Sequence, residues 1–158
     1  MKKAIFPGTF DPFTLGHLDI LNRSTLIFDE IIIGIGINGD KRTMFNIDQR
    51  IDMIESIIKD NPKVSVQSYD GLTIDFCKKV GANFIVRGVR NTGDFEFEKA
   101  IARTNRMLSE IETIFLLTSA KSSFISSSIV RELISNNGKY NKLVPKSISK
   151  ILSDNHPK

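Results

Sequence analysis

Cysteine is almost absent from this 158-residue chain. The single residue, Cys77, excludes an intramolecular disulfide and any metal site built from several thiolates. Long apolar runs are missing too, since no stretch approaches the roughly 20 residues that span a bilayer. The opening Met1-Lys2-Lys3-Ala4-Ile5-Phe6-Pro7 holds only a three-residue apolar segment, whereas a secretory signal needs a longer one and a small-residue cleavage site. A cytoplasmic protein without a membrane partner is the expectation. The chain also lacks a basic cluster of the kind a nucleic-acid surface needs. Lys and Arg outnumber Asp and Glu by 22 to 18, but the excess lies from Gly138 onward, in Lys139, Lys142, Lys146, Lys150 and Lys158 against Asp154. Those lysines are spread along an amphipathic segment, Val144 to Leu152, which reads as a solvated helix face. No nucleic-acid partner is expected.

What is present is a soluble globular composition, 41% hydrophobic and 25% charged, in a length suited to one domain with a substantial core. Lys3–Phe6, Glu30–Ile37, Lys63–Ser68, Asn83–Val86 and Glu112–Leu117 are short, rich in Ile, Val and Phe, and bounded by turn residues, which suits strands buried on both faces. Helical spacing separates them. Leu18, Leu21, Thr25 and Phe28 follow it, as do Ile47, Ile51, Ile54 and Ile58, with Asn46 and Gln49 forming a capping-box pattern. Leu72–Val80 stops at Gly81, and Phe95–Leu108 and Ser127–Asn136 complete the set. Such alternation predicts an α/β fold: a single Rossmann-like, doubly wound domain with a five-stranded, mainly parallel sheet and helices on both faces. There is no internal repeat or linker. One domain over 1–158 is expected, with a C-terminal helical tail of about 139–158 packed on it.

Gly34-Ile35-Gly36-Ile37-Asn38-Gly39 matches G-x-G-x-x-G, but a dinucleotide fingerprint must close a strand and open a helix at once. Here the first two glycines alternate with isoleucines inside a strand pattern, and the next helix start is Asn46. The match is read as accidental.

Four other segments carry chemistry. Phe6-Pro7-Gly8-Thr9-Phe10-Asp11-Pro12-Phe13-Thr14-Leu15-Gly16-His17 leaves the first strand and enters the first helix. Gly8 permits close backbone approach, Thr14 can cap the helix, and Gly16 and His17 fall in the first turn, where free N–H groups favour anions. Ser122-Ser123-Phe124-Ile125-Ser126-Ser127-Ser128 follows the fifth strand, with Arg131 one turn further on. Hydroxyls and free N–H groups at a helix start suit a triphosphate. Arg87-Gly88-Val89-Arg90 ends the fourth strand, and its two forked cations match phosphate oxygens. Lys41 lies just beyond the second strand. All four are placed at strand carboxyl ends, where ligands of such sheets bind.

Gly8-Thr9-Phe10-Asp11-Pro12, Thr14-Leu15-Gly16-His17, Arg87-Gly88-Val89-Arg90, Asp94-Phe95-Glu96-Phe97-Glu98 and Phe124-Ile125-Ser126-Ser127-Ser128 together resemble the motifs of the phosphopantetheine adenylyltransferase family. Their order and spacing and the total length match over nearly the whole chain. Thr14, where related nucleotidylyltransferases usually have histidine, points to this branch. Ser122 stands where bacterial members commonly have tryptophan, and Phe6 where tyrosine is frequent. The resemblance implies transfer of the adenylyl group of ATP to 4′-phosphopantetheine, giving dephospho-coenzyme A and pyrophosphate with Mg²⁺ carried on ATP. It places Thr9, Lys41, Thr73 and Arg87 at phosphopantetheine. Thr9, Phe10, His17, Gly88, Val89, Arg90, Glu98, Ser122, Ser123, Phe124, Ile125, Ser126, Ser127 and Ser128 fall at ATP. The chemistry of two anions brought in line then assigns His17, Lys41 and Thr9, as the catalytic residues, to the α-phosphate and incoming phosphate, and Arg90 and Ser128 to the leaving pyrophosphate. No carboxylate cluster suggests protein metal ligands, so Mg²⁺ is expected on ATP oxygens. The resemblance also implies a homo-hexamer inhibited by coenzyme A. Beside it stand two other readings: transfer of a nucleotidyl group to a different phosphorylated acceptor, and a nucleotide-sensing module without turnover.

Overall fold

Strand-forming runs separated by capped helices give, in the computed structural model, an α/β sheet protein described for residues 1–37 and 42–155. Strands β1 (Lys3–Gly8), β2 (Glu30–Ile37), β3 (Val64–Asp70), β4 (Phe84–Val89) and β5 (Glu112–Leu117) form one sheet in the order β3-β2-β1-β4-β5. Every neighbouring pair is parallel, so the sheet is wholly rather than mainly so. The chain steps outward from β1 to β3, then returns to place β4 on the other side of β1. Loops leaving β1 and β4 therefore diverge and open a crevice at their carboxyl ends.

Helices α1 (Leu15–Ser24), α2 (Ile47–Ile58), α3 (Thr73–Val80), α4 (Thr92–Ser109), α5 (Ser127–Ser135) and α6 (Lys146–Asn155) cover both faces. On one face Phe6, Ile33, Ile35 and Val86 meet Ile20 of α1, Ile54 of α2, Val130 of α5 and Leu152 of α6. On the other, Ile5, Ile32 and Ile85 meet Ile74, Phe76 and Cys77 of α3. α4 shares that second face, its Phe95 meeting Phe115 edge-on at 5.4 Å. Full burial of Ile148 and Leu152, at about 1.5–3 kcal/mol for each side chain, holds α6 on the body. A hydroxyl pair, Ser56 Oγ and Ser147 Oγ 3.0 Å apart, adds a polar tie to α2.

Several boundaries differ from the sequence expectation. β1, β3 and β4 run two or three residues further than their apolar stretches, because ladder bonds to parallel neighbours do not require apolar side chains. α1 ends at Ser24, whose Oγ donates to the Ile20 carbonyl at 2.7 Å. Phe28 lies beyond it, buried against Phe84 from a loop. α4 starts at Thr92 because the Asn91 side chain accepts the Asp94 N–H at 2.9 Å.

Gly34 and Gly36 lie inside β2, where their alternation with isoleucines predicts them. Their smallness serves packing: a Cβ on Gly34 would stand 3.1 Å from the Tyr69 ring, and one on Gly36 would stand 3.5 Å from its hydroxyl. At Gly88 a Cβ would meet Ile20 Cγ1 at 2.8 Å, against a side chain that is fully enclosed. Gly88→Ala is therefore expected to lower stability by about 1–3 kcal/mol through overpacking, read as a reduced urea midpoint with an unchanged m value.

Candidate active site

The loop between β1 and α1 is braced from several directions. Arg50 of α2 donates Nη1 to the Thr9 carbonyl at 2.8 Å, and Arg131 of α5 donates Nη1 to the Asp11 carbonyl at 2.7 Å. Ser127 Oγ donates to the Pro12 carbonyl at 2.8 Å. The buried Asp11 carboxylate accepts the N–H groups of Met44 and Phe45 at 2.8 and 2.9 Å. A buried carboxylate is tolerated when it is paired in this way. Phe10 adopts a positive φ of 50°, which lays its ring across Gly8, where a Cβ would stand 2.8 Å from Phe10 Cζ.

At the end of that loop Thr14 caps α1, its Oγ1 accepting the His17 N–H at 3.4 Å. His17 completes the box with its ring: Nδ1 accepts the Thr14 N–H at 3.0 Å. An acceptor Nδ1 carries no proton, so the neutral ring bears its single N–H on Nε2. Nε2 has no hydrogen-bond partner among the described residues, and His17 lines the cavity. The rings of Phe10 and Phe13 lie 5.0 and 5.2 Å away. Burial, reinforced by the Arg87 and Arg90 guanidiniums, pushes the His17 pKa down from 6.5 to about 4. At neutral pH the imidazole is an uncharged donor.

This cavity, of about 500 Å³, sits at the crevice between β1 and β4. Its opposite wall is the start of α5, where Ser126, Ser127 and Ser128 line the cavity and the Ser126 side chain accepts the Ile129 N–H at 3.3 Å; the N–H groups of a helix's first turn lack intrahelical partners and favour anions. Ser128 Oγ accepts from Arg131 Nη2 at 3.2 Å. Arg90 donates Nε to Asp94 at 2.9 Å, and this bond holds the Asp94 carboxyl below its usual range.

A second cavity of about 340 Å³ runs along the sheet toward α3 and α4. The two share Pro7, Gly8, Thr9, Arg87 and Glu98. Arg87 forks onto Glu98 through Nε, at 2.8 Å, and Nη2, while Nη1 donates to the Pro7 carbonyl at 2.6 Å. Walls of the slot include Ile37, Ile85, Ile101, Asn105 and Tyr69. Thr113 Oγ1 lies there too, a buried oxygen without a hydrogen-bond partner among the described residues.

Most of the expected site residues gather here. Thr9, Phe10, His17, Gly88, Arg90, Glu98, Ile125, Ser126, Ser127 and Ser128 line the larger cavity, and Thr9, Thr73 and Arg87 line the slot. Four do not line either wall. The Val89 side chain turns into the core, and its carbonyl accepts the Thr118 N–H at 2.9 Å. Ser122 is buried beneath the α5 start and accepts from Ser119 Oγ. Ser123 bonds the Ala120 carbonyl, and Phe124 points to solvent. Lys41 lies outside the described residues. Sequence reading missed Tyr69, Ile101 and Asn105 in the slot, and gave no role to Asp11 or Arg50. Arg50 mimics a polar helix position, and Tyr69 an ordinary strand residue.

A family profile described as cytidylyltransferase-like matches residues 5–133. Proteins named phosphopantetheine adenylyltransferase align over nearly their whole length. One from Flavobacterium psychrophilum is 64% identical over 94% of this chain and 98% of its own. One from Bacteroides thetaiotaomicron is 53% identical over 94% and 98%, and one from Lachnoclostridium phytofermentans is 48% identical over 99% and 96%. Among solved structures, a bifunctional NMN adenylyltransferase/ADP ribose pyrophosphatase from Francisella tularensis superposes with a TM-score of 0.72. The match covers 90% of this chain and 44% of that one, and at 18% identity it speaks for the fold alone.

Proposed function

The chain belongs to the phosphopantetheine adenylyltransferases, within the cytidylyltransferase-like family, and we propose that its two joined cavities hold ATP and 4′-phosphopantetheine nose to tail. It transfers the adenylyl group of ATP to the phosphate of 4′-phosphopantetheine, forming dephospho-coenzyme A and releasing pyrophosphate. The observation that carries the assignment of cavities is their junction. Thr9, Arg87 and Glu98 belong to both walls, with His17 on the larger side.

The acceptor phosphate is already an anionic nucleophile, so no general base is required. The barrier is the approach of two anions and the charge that gathers on the α-phosphate, and fixed donors and positioning lower both. His17 Nε2–H donates to an α-phosphate oxygen. Because the ring is held neutral and oriented by the Thr14 N–H, that donor needs no reorganisation during reaction. Arg87 and Thr9 receive the incoming phosphate. Arg90, Arg131 and the first turn of α5 hold the pyrophosphate as it leaves. Among the described residues no three His, Cys, Asp or Glu side chains come together, and the two carboxylates of the larger cavity, Asp94 and Glu98, are each paired with an arginine. That donor set fits a Mg²⁺ ion carried in on triphosphate oxygens, where it would neutralise phosphate charge.

Self-association is supported by α4, which buries none of its residues and leaves Met107 80% and Leu108 58% exposed. A second copy is the partner such an apolar face suits, and a homo-hexamer is the assembly we propose, checked by light-scattering mass. Coenzyme A carries both the pantetheine arm and the adenylate, so it fits across both cavities as a feedback inhibitor. No described helix is long and apolar enough to cross a membrane, and a cytoplasmic location is proposed.

Incubation with ATP, Mg²⁺ and 4′-phosphopantetheine is expected to yield dephospho-coenzyme A and pyrophosphate by mass spectrometry. Product from CTP but not ATP, or from other phosphomonoesters but not this one, would overturn the substrate assignment.

A further inference from the structure

The slot contains a polar pair, Tyr69 and Thr73, of which the family resemblance accounts for Thr73 alone. Tyr69 leaves β3 with its ring laid across Gly34 and Gly36 and stacked on Phe76, centroids 4.5 Å apart and planes within 4°. That packing fixes the ring in two directions and leaves only the hydroxyl to vary. The hydroxyl lies 2.8 Å from Thr73 Oγ1 at the start of α3, and both residues line the slot. Two hydroxyls carry two protons, and one proton makes the bond between them. The other has no acceptor among the described residues. Burial raises the Tyr69 pKa, so both protons are present at any pH near neutrality.

The surrounding wall selects what can accept that proton. Ile37, Ile85, Ile101 and Ala102 line the slot beside the uncharged polar Asn105 and Thr113, and its charged groups among the described residues, Arg87 and Glu98, sit at the junction and bond each other. An uncharged acceptor such as an amide carbonyl is well matched to a neutral hydroxyl donor, which fixes register without the cost of burying charge.

Resting on the reading that the slot takes 4′-phosphopantetheine, we propose that the Tyr69–Thr73 hydroxyl pair donates a hydrogen bond to an amide carbonyl of the acceptor's arm and so helps to set acceptor specificity. The pair acts as one donor: whichever hydroxyl bonds its neighbour, the other is free to face the ligand. The glycines of β2 are then part of acceptor recognition, since they make the bed in which the Tyr69 ring lies.

The test is the doubly substituted enzyme Tyr69→Phe/Thr73→Val, which keeps the ring stack and the side-chain volumes. Its KM for 4′-phosphopantetheine is expected to rise about three- to tenfold, the scale of one neutral hydrogen bond, with KM for ATP unmoved and the melting temperature near that of the parent. Thr73→Ser, which retains the hydroxyl, is expected to keep the parental KM. A short alkyl phosphomonoester without an amide should show the same KM with both enzymes, an outcome that general damage to the slot would not produce. An unchanged KM for 4′-phosphopantetheine in the double variant, or an equal rise for the amide-free acceptor, would overturn the inference while leaving the enzyme's function intact. A parent enzyme that makes no dephospho-coenzyme A would overturn the functional reading and this inference together.

Discussion

His17→Ala is expected to lower kcat by about two to three orders of magnitude, the scale of one lost transition-state donor, while KM for ATP changes far less. The separation follows from where the proton sits. Nδ1 is occupied by the Thr14 N–H, so the ring offers Nε2–H to the cavity, and that bond strengthens as negative charge gathers on the α-phosphate. The substitution also removes half of the capping box of α1. A stability loss of about 0.5–1.5 kcal/mol, the scale of one hydrogen bond, accompanies it, which circular-dichroism melting reads independently of turnover. Near-parental kcat in a folded His17→Ala protein would remove the imidazole from the mechanism.

The depressed pKa of His17 sets a pH signature with a definite sign. Above about pH 6.5 the ring is neutral in both the folded and the unfolded chain. Between there and about pH 4 the unfolded chain takes up the proton first, because only the folded ring is held down near 4. Its contribution to stability is therefore complete above the ordinary histidine range and is lost as pH falls toward 4. Turnover should show no histidine inflection between pH 6 and 8, and an acid limb only as the ring itself titrates. NMR titration of the imidazole checks the first point, and kcat against pH the second.

The second large effect is expected at Arg87. Arg87→Ala removes the forked cation shared by both cavities and leaves Glu98 an unpaired carboxylate facing two anionic substrates. The acceptor kcat/KM should fall about a hundredfold, near the upper end for a hydrogen bond to a charged group, with repulsion from Glu98 adding to the loss. Arg87→Lys should recover only part, because an ammonium cannot reproduce the planar fork that reaches Glu98 and Pro7 together. Adding Glu98→Gln to Arg87→Ala should return some of the lost rate. Steady-state kinetics with acceptor varied at saturating ATP measures all three. A rate unaffected by the loss of Arg87 would place acceptor binding elsewhere.

Local chemistry explains why so much of the site was readable along the chain. Thr14 and His17, Asn46 and Gln49, and Ser126 and Ile129 bond three residues apart, so helix starts and the position of the imidazole follow from neighbouring residues alone. Strand–helix alternation likewise predicts a parallel sheet whose loops gather at one end. The exceptions share a cause. Val89, Ser122 and Phe124 belong to motifs that reach the site, yet side-chain direction within a motif depends on which neighbours pack there. Val89 faces the core and Phe124 the solvent.

Taken alone, the sequence determined which elements form, the helix ends at Thr14, Asn46 and Gly81, the strand-borne glycines and the set of anion-seeking groups, because these rest on bonds within a few residues and on periodicity. Only the tertiary structure decided that β1 lies between β2 and β4, and this pairing brings His17 and Arg87 into one crevice from positions 70 residues apart. It also decided that Tyr69 crosses Gly34 and Gly36, and that Arg50 reaches back to the Thr9 carbonyl. Contacts of that range depend on which strands pair and which faces meet, and hydrophobic periodicity states that a face is buried without stating against what.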